Sequence, residues 1–186
     1  MIIAACLLAA ALLYAIWIFN RLVRLGARAD GSWSDIDVQL RRRWDLIPRL
    51  AQIARSYADH ERRTLEEAVA ARTAAAARSD AGPAGRAAAE SALGLRGRQL
   101  IALAEQYPDL KANTLFEELH AQLVDVEDDL QAARRYYNAV VRDLNTLAGQ
   151  FPSSLVARLA GRRPREFFEI EDPRDRAAPA VRLEQS

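Results

Sequence analysis

Residues Ile2 to Phe19 run for eighteen positions without a charged side chain, and Arg21, Arg24 and Arg28 follow at once. As an α-helix the run rises about 27 Å, close to the hydrocarbon thickness of a bilayer. This predicts a single membrane-spanning helix. The competing reading, a cleaved secretory signal, lacks a basic region before Ile2, and Asn20-Arg21-Leu22-Val23-Arg24 makes a poor cleavage site. An uncleaved segment lying in the interface is the nearer rival. Tyr14, Trp17 and Phe19 sit near the arginine end, where aromatic rings favour the headgroup layer. The arginines after the span, with no Lys or Arg before it, predict a C-terminal body on the cytoplasmic side of the membrane.

Residues 31–186 hold 23 basic and 24 acidic side chains, a net charge of −1. That balance argues against a nucleic-acid partner, which selects for basic excess. Cys6 is the only cysteine, so no intramolecular disulfide can form. Ile3-Ala4-Ala5-Cys6 looks superficially like a lipidation site, but it lies ahead of most of the apolar run, and an ordinary buried thiol is the expectation.

The body reads as all-α. A first body helix is expected from Ser32, as cap, towards Ser79, with Asp35 in its first turn. Trp33, Ile36, Leu40, Trp44, Ile47, Leu50, Ile53 or Ala54, and Tyr57 recur at steps of three and four and mark its buried face. Pro48 lies inside it and predicts a kink, by packing or as the bend of a partner groove. Asp80 to Gly85 read as a turn, and Arg86 to Gln106 as a second helix ended by Tyr107-Pro108.

A third helix opens with a capping box, Thr114-x-x-Glu117, with Asn113 as the competing cap. Its stripe runs Phe116, Leu119, Leu123, Val126, Leu130, Ala133, Tyr137, Val140, Leu144, Leu147 and Phe151. That heptad seam predicts near-parallel packing of helices. Pro152 ends it, Ser153-Ser154 can cap a short helix through Ala160, and Phe167-Phe168 are expected to dock on the bundle. The chain beyond Asp172 reads as loosely ordered. The expected organisation is an anchor over 1–30, an antiparallel up-down bundle over 31–160, and a tail over 161–186 docked in part at 167–170. Short turns favour packing within one chain, although the seam could instead pair two chains.

Chemistry is sparse. Glu117 and His120, three apart on a helix, have a metal-like spacing but no second pair, and His60 lacks zinc-protease context. Solvated surface histidines are the expectation, with no metal and no cofactor. Asp125, Glu127, Asp128 and Asp129 read as a solvated face. Asp37, Arg41, Asp45 and Arg49 alternate in sign at steps of four and read as a structural ladder, the alternative being that with Arg42 and Arg43 they face anionic lipid or a charged partner. No phosphate loop, nucleophile elbow or Cys pair occurs, so no catalytic residue is expected.

Trp33-Ser-Asp-Ile-Asp-Val-Gln-Leu-Arg-Arg-Arg-Trp-Asp-Leu-Ile-Pro48 followed by Tyr57-Ala-Asp-His-Glu61 closely resembles the opening signature of the LemA family. Glu105 to Asn113, Arg134 to Asn138, Val141 to Asn145, Phe151 to Leu155 and Phe167-Phe168 continue the resemblance in order, across residues 14–171. The chain departs from the pattern near Leu159–Arg162, where the family usually carries a phenylalanine. The resemblance implies a bacterial single-pass membrane protein with an antiparallel helical bundle and no established enzymatic activity. It also implies a partner role in the envelope, because family members are often encoded near membrane proteases or envelope proteins. Asn113, Asn138 and Asn145 match asparagines of the family motifs. Asn113 can cap, whereas Asn138 and Asn145 sit mid-helix, where they would fix register through a buried hydrogen bond or mark a contact surface. The expected role is a membrane-tethered interaction or scaffold module in the bacterial inner membrane, with the bilayer and another membrane or envelope protein as partners. The alternatives are a homo-oligomeric structural protein and a metal-dependent sensor or enzyme.

Overall fold

The computed structural model describes residues 1–169, the side chain of Asp59 apart; the tail beyond Asp172, expected to be loosely ordered, lies outside them. Helix α1 covers Ile2–Ala54, α2 Arg62–Ala76, α3 Pro83–Ala104, α4 Pro108–Lys111, α5 Thr114–Gly149 and α6 Ser153–Leu159. A 3₁₀ turn over Asp59–Glu61 leads into α2, and no strand occurs among the described residues. The chain is all-α, with a long apolar N-terminal helix leading into a helical bundle, as its periodicity predicts. Two compact units form: Met1–Leu46 with Glu118–Phe168, and Ile47–Glu117.

In the first unit α1 and α5 lie antiparallel, because partners rise along one helix as they fall along the other. Arg43 meets Glu127, Gln39 meets Asp129, Trp33 meets Tyr137, and Leu22 shares a cluster with Leu144. The heptad seam supplies the α5 side of this core: Leu119, Leu123, Val126, Leu130, Tyr137, Val140 and Leu144 are buried. The seam stops one step earlier than its spacing suggests. Phe151 is 81% exposed, because α5 ends at Gly149 and the residue lies beyond the helix that carries the seam.

Helix α1 departs from expectation at both ends of its body segment. It passes through Ser32 without a break. Rather than capping, the Ser32 hydroxyl is buried and donates to the Ala29 carbonyl at 3.1 Å. Ala29 and Ile36 are fully buried on either side, so packing overrides the local start signals. The helix continues six residues past Pro48 and ends at Ala54, far short of Ser79. The Ala54 carbonyl accepts from both Tyr57 and Ala58, which tightens the last turn. The six residues after Ala58 offer no apolar side chain to bury, and the stripe resumes only at Leu65.

In the second unit α2 and α3 form a hairpin, with Leu65, Ala68 and Ala75 buried from α2 and Leu93, Gly94, Gly97 and Leu100 from α3. Arg96 bridges to Glu67 at 2.8 Å across it. The arginine of the preceding turn, Arg63, also holds Glu67 at 2.9 Å; its hydrogen bond is the main reason the Glu67 carboxyl titrates below the usual range. Helix α3 opens with Pro83 in its first turn, three residues before the expected start, as suits a residue with no N–H to leave orphaned. At the start of α5 the competing cap prevails: Asn113 Oδ1 accepts from the Phe116 N–H at 3.0 Å, and Thr114 is already helical.

Candidate interaction site

Two asparagines on α5 organise the most elaborate polar arrangement of the first unit. Asn138 and Asn145 stand seven residues apart, so both lie on the same face of the helix, about 10 Å apart along its axis. Opposite them the chain after α6 passes as a strap without regular structure. Asn145 Oδ1 accepts from Arg165 N–H at 2.8 Å, and its Nδ2 donates to Arg165 O at 2.9 Å. Asn138 does the same for Phe168, at 2.9 and 3.1 Å. Three extended residues also span about 10 Å, which is why a heptad on the helix matches a triplet on the strap. Between them, Tyr137 OH donates to Glu166 O at 2.9 Å.

The strap ends in a fully buried aromatic. Phe168 meets Trp33 edge-on at 5.2 Å between ring centroids, and Trp33 lies 5.4 Å from Tyr137. At the other end Arg165 forms an ion pair with Asp30 of α1. Burial beneath the strap raises the Tyr137 pKa above its ordinary value, with the nearby Arg165 acting in the opposite direction. Asn138 and Asn145 therefore do not set the register of one helix against another. Both are committed to backbone groups of the strap.

The charged side chains read from the sequence divide. Arg41 holds Asp37 at 2.9 Å, as a structural ladder requires. Arg43 does not face solvent: it is 1% exposed, and its Nη1 donates to both oxygens of Glu127 at 3.0 and 3.2 Å. Glu127 thereby leaves the solvated acidic face assigned to it, and Asp129 accepts from Gln39 at 3.2 Å. Periodicity alone did not reveal Arg43, because an arginine among three reads as surface. Its step of three and four from Leu40 and Ile47 was the available signal. Arg42, Asp45, Leu46, Gln122, Asp125, Val126 and Asp129 line a surface groove of about 320 Å³.

His60 is exposed, and Glu117 and His120 remain on α5 at their helical spacing. Among the described residues no three His, Cys, Asp or Glu side chains gather as metal ligands. In the second unit, Asn113 joins its capping role to a second bond, Nδ2 donating to Tyr57 OH at 3.0 Å. Pro48 lies within α1, half-buried between the buried Ile47 and Leu50.

These features define a class: an all-α protein whose long apolar N-terminal helix leads into a helical bundle, with a strap after α6 clasping α1 and α5. Residues 32–183 match the LemA family, and the chain belongs to that family. It is similar to magnetosome protein MamQ of Magnetospirillum gryphiswaldense, with 23% identity over 174 residues, covering 81% of this chain and 64% of the relative. Magnetosome protein MamQ 2 of Paramagnetospirillum magneticum shares 22% over 175 residues, again covering 81% of this chain and 64% of the relative. The chain thus spans under two thirds of the length of these curated relatives.

Proposed function

We propose that this protein is a membrane-anchored interaction module: α1 crosses the bilayer with its first turns and presents the helices that follow to a second membrane or envelope protein. One observation carries the reading. Only 6% of the most apolar eighteen-residue window of α1 is buried, and Leu7, Leu8, Leu12 and Leu13 are each more than 60% exposed. Such a continuous apolar surface requires cover, and a bilayer provides it for a helix of this length. The same helix, unbroken, becomes a core helix of the first unit from Ile18 onward, so the anchor and the presented body are mechanically one element.

Tyr14 and Trp17 stack at 6.1 Å, and the Arg21 guanidinium lies 5.4 Å from the Trp17 ring centroid. An aromatic and cationic belt of this kind suits the headgroup layer and supports a boundary at Phe19–Arg21. The arginines beyond it support a cytoplasmic body. The MamQ relatives are named as magnetosome proteins, which supports membrane association.

Photocrosslinkers placed on exposed positions of α5 and tested in native membranes examine the role. The expected result is a discrete adduct with a membrane or envelope protein. Self-adducts alone under all conditions would favour a homo-oligomer and defeat the proposal. A topology reporter fused after Ser186 tests the side: periplasmic activity would reverse the orientation.

A further inference from the structure

The short helix α6 sits at an unusual place. Its inner face, Ser153 and Ala157, is buried, and Ala157 packs with Ile18, Leu22 and Leu25 of α1 and Leu144 of α5. Ile18 belongs to the last turn of the apolar run, and Leu22 and Leu25 to the first turns after it. With α1 crossing the bilayer by its first turns, residues 18–25 cover about 10 Å starting at the last turn of the apolar run, which puts α6 at and just beyond the edge of the hydrocarbon.

The outer face of α6 is apolar and basic. Leu155 is 53% exposed and Leu159 92%, with Arg158 on the same face, and the exposed Phe151 stands just before the helix. No acidic residue occurs over 144–165 or over 1–29, a segment pair that carries seven arginines. Arg162 leans back to α1, its Nη1 lying 3.6 Å from where a Cβ on Gly26 would be. Exposed leucines amid arginines, continuous with a lipid-facing helix, match the chemistry of an anionic bilayer surface.

We propose that the outer face of α6, with Phe151, Leu155 and Leu159 inserted and Arg158 on the headgroups, docks on the anionic lipid surface beside the anchor and gives the body a second membrane contact. This rests on α1 crossing the bilayer. The second contact restrains the body against rotating about the anchor axis, which one span alone does not do.

The test uses the full chain with Cys6→Ser and a single fluorophore at Leu155→Cys or, in a parallel sample, at Leu8→Cys, reconstituted in phosphatidylcholine vesicles with or without phosphatidylglycerol. Circular dichroism checks that each labelled chain is folded. The expected result in anionic vesicles is that the Leu155 probe is quenched by shallow spin-labelled lipid and shielded from acrylamide, while the Leu8 probe is quenched by deep spin-labelled lipid. Arg158→Glu should lower the docked-to-undocked ratio by about fivefold or more, the weight of one surface arginine on anionic lipid. Deep quenching at Leu8 with Leu155 as open to acrylamide as in detergent would leave the anchor standing and overturn the proposal. Loss of lipid quenching at Leu8 as well would locate the failure in the span itself. Shielding of Leu155 in native membranes but not in lipid vesicles would assign the face to a protein and also overturn it, as would shielding indifferent to phosphatidylglycerol.

Discussion

Asn138 pairs with both backbone groups of Phe168, accepting from its N–H at 2.9 Å and donating to its carbonyl at 3.1 Å, so a helix side chain takes the place a neighbouring strand would fill. Asn145 repeats the arrangement on Arg165. Truncating either asparagine leaves a backbone donor and acceptor without these partners, a loss of about 1–3 kcal/mol in holding the strap. Hydrogen exchange should show the Phe168 amide losing protection in Asn138→Ala and the Arg165 amide in Asn145→Ala. Asn138→Asp keeps the acceptor, so Phe168 should retain more protection there than in the alanine variant.

Phe168→Ala removes the aromatic anchor that meets Trp33 at 5.2 Å and is fully buried. Large-to-small changes of this kind cost about 3–5 kcal/mol, enough to raise strap opening by about two orders of magnitude or more. Trypsin cleavage after Arg165 should accelerate accordingly, while far-ultraviolet circular dichroism of the helices changes little. Equal cleavage rates in the variant and the parent would mean that the strap is held without its aromatic.

The two asparagines illustrate how far periodicity reaches. Their spacing of seven places them on one face, but what they hold lies in a segment with no repeat of its own. Nothing in Arg165 to Phe168 marks the backbone as a ligand for side chains, so the sequence points to helix register or a contact surface and not to the strap. The seam on α5 was legible because each step buries a side chain that the pattern itself names. The continuity of α1 was not. Ser32 and Asp35 carry start signals worth a fraction of a kcal/mol to about 1 kcal/mol, whereas burying Ala29, Ile36 and Leu40 contributes more. The end at Ala54 was hidden for the opposite reason: a stripe with a gap over 59–64 still looks continuous at a distance.

Gly31 lies inside α1, and a Cβ added there would meet nothing within 4 Å. Its backbone is already helical, so alanine removes unfolded-state freedom without a clash. Gly31→Ala should stabilise the protein by about 0.5–1 kcal/mol, seen as a higher thermal midpoint in detergent. A lower midpoint would indicate that α1 needs to bend at this turn.

Arg43 is buried, while Glu127, which takes two bonds from its Nη1, is about one third exposed at 32%. Glu127→Ala removes that carboxylate from a desolvated guanidinium, but water can reach the vacated edge. The cost should fall at about 1–3 kcal/mol, below the range for a fully buried pair. Replacing both, Arg43→Met with Glu127→Leu, should recover most of it, because no buried charge is left. Denaturant unfolding of the parent, Arg43→Met, Glu127→Leu and the double variant closes the cycle.

Burial raises the Tyr137 pKa in the folded protein, and its hydroxyl donates to the Glu166 carbonyl, a bond the phenolate cannot make. Below pH about 10, the ordinary tyrosine value, the phenol is neutral in both folded and unfolded chains, and its contribution is fully present. As the pH climbs past that value the unfolded chain releases its proton first, so stability declines until the raised folded pKa is passed. Tyr137→Phe cannot ionise and should lack this part of the alkaline loss, though it starts lower by the missing hydrogen bond, about 1 kcal/mol. Unfolding free energies for the two proteins between pH 9 and pH 12 should therefore converge as the pH rises. Parallel curves would show that Tyr137 ionises freely and that the strap does not shield it.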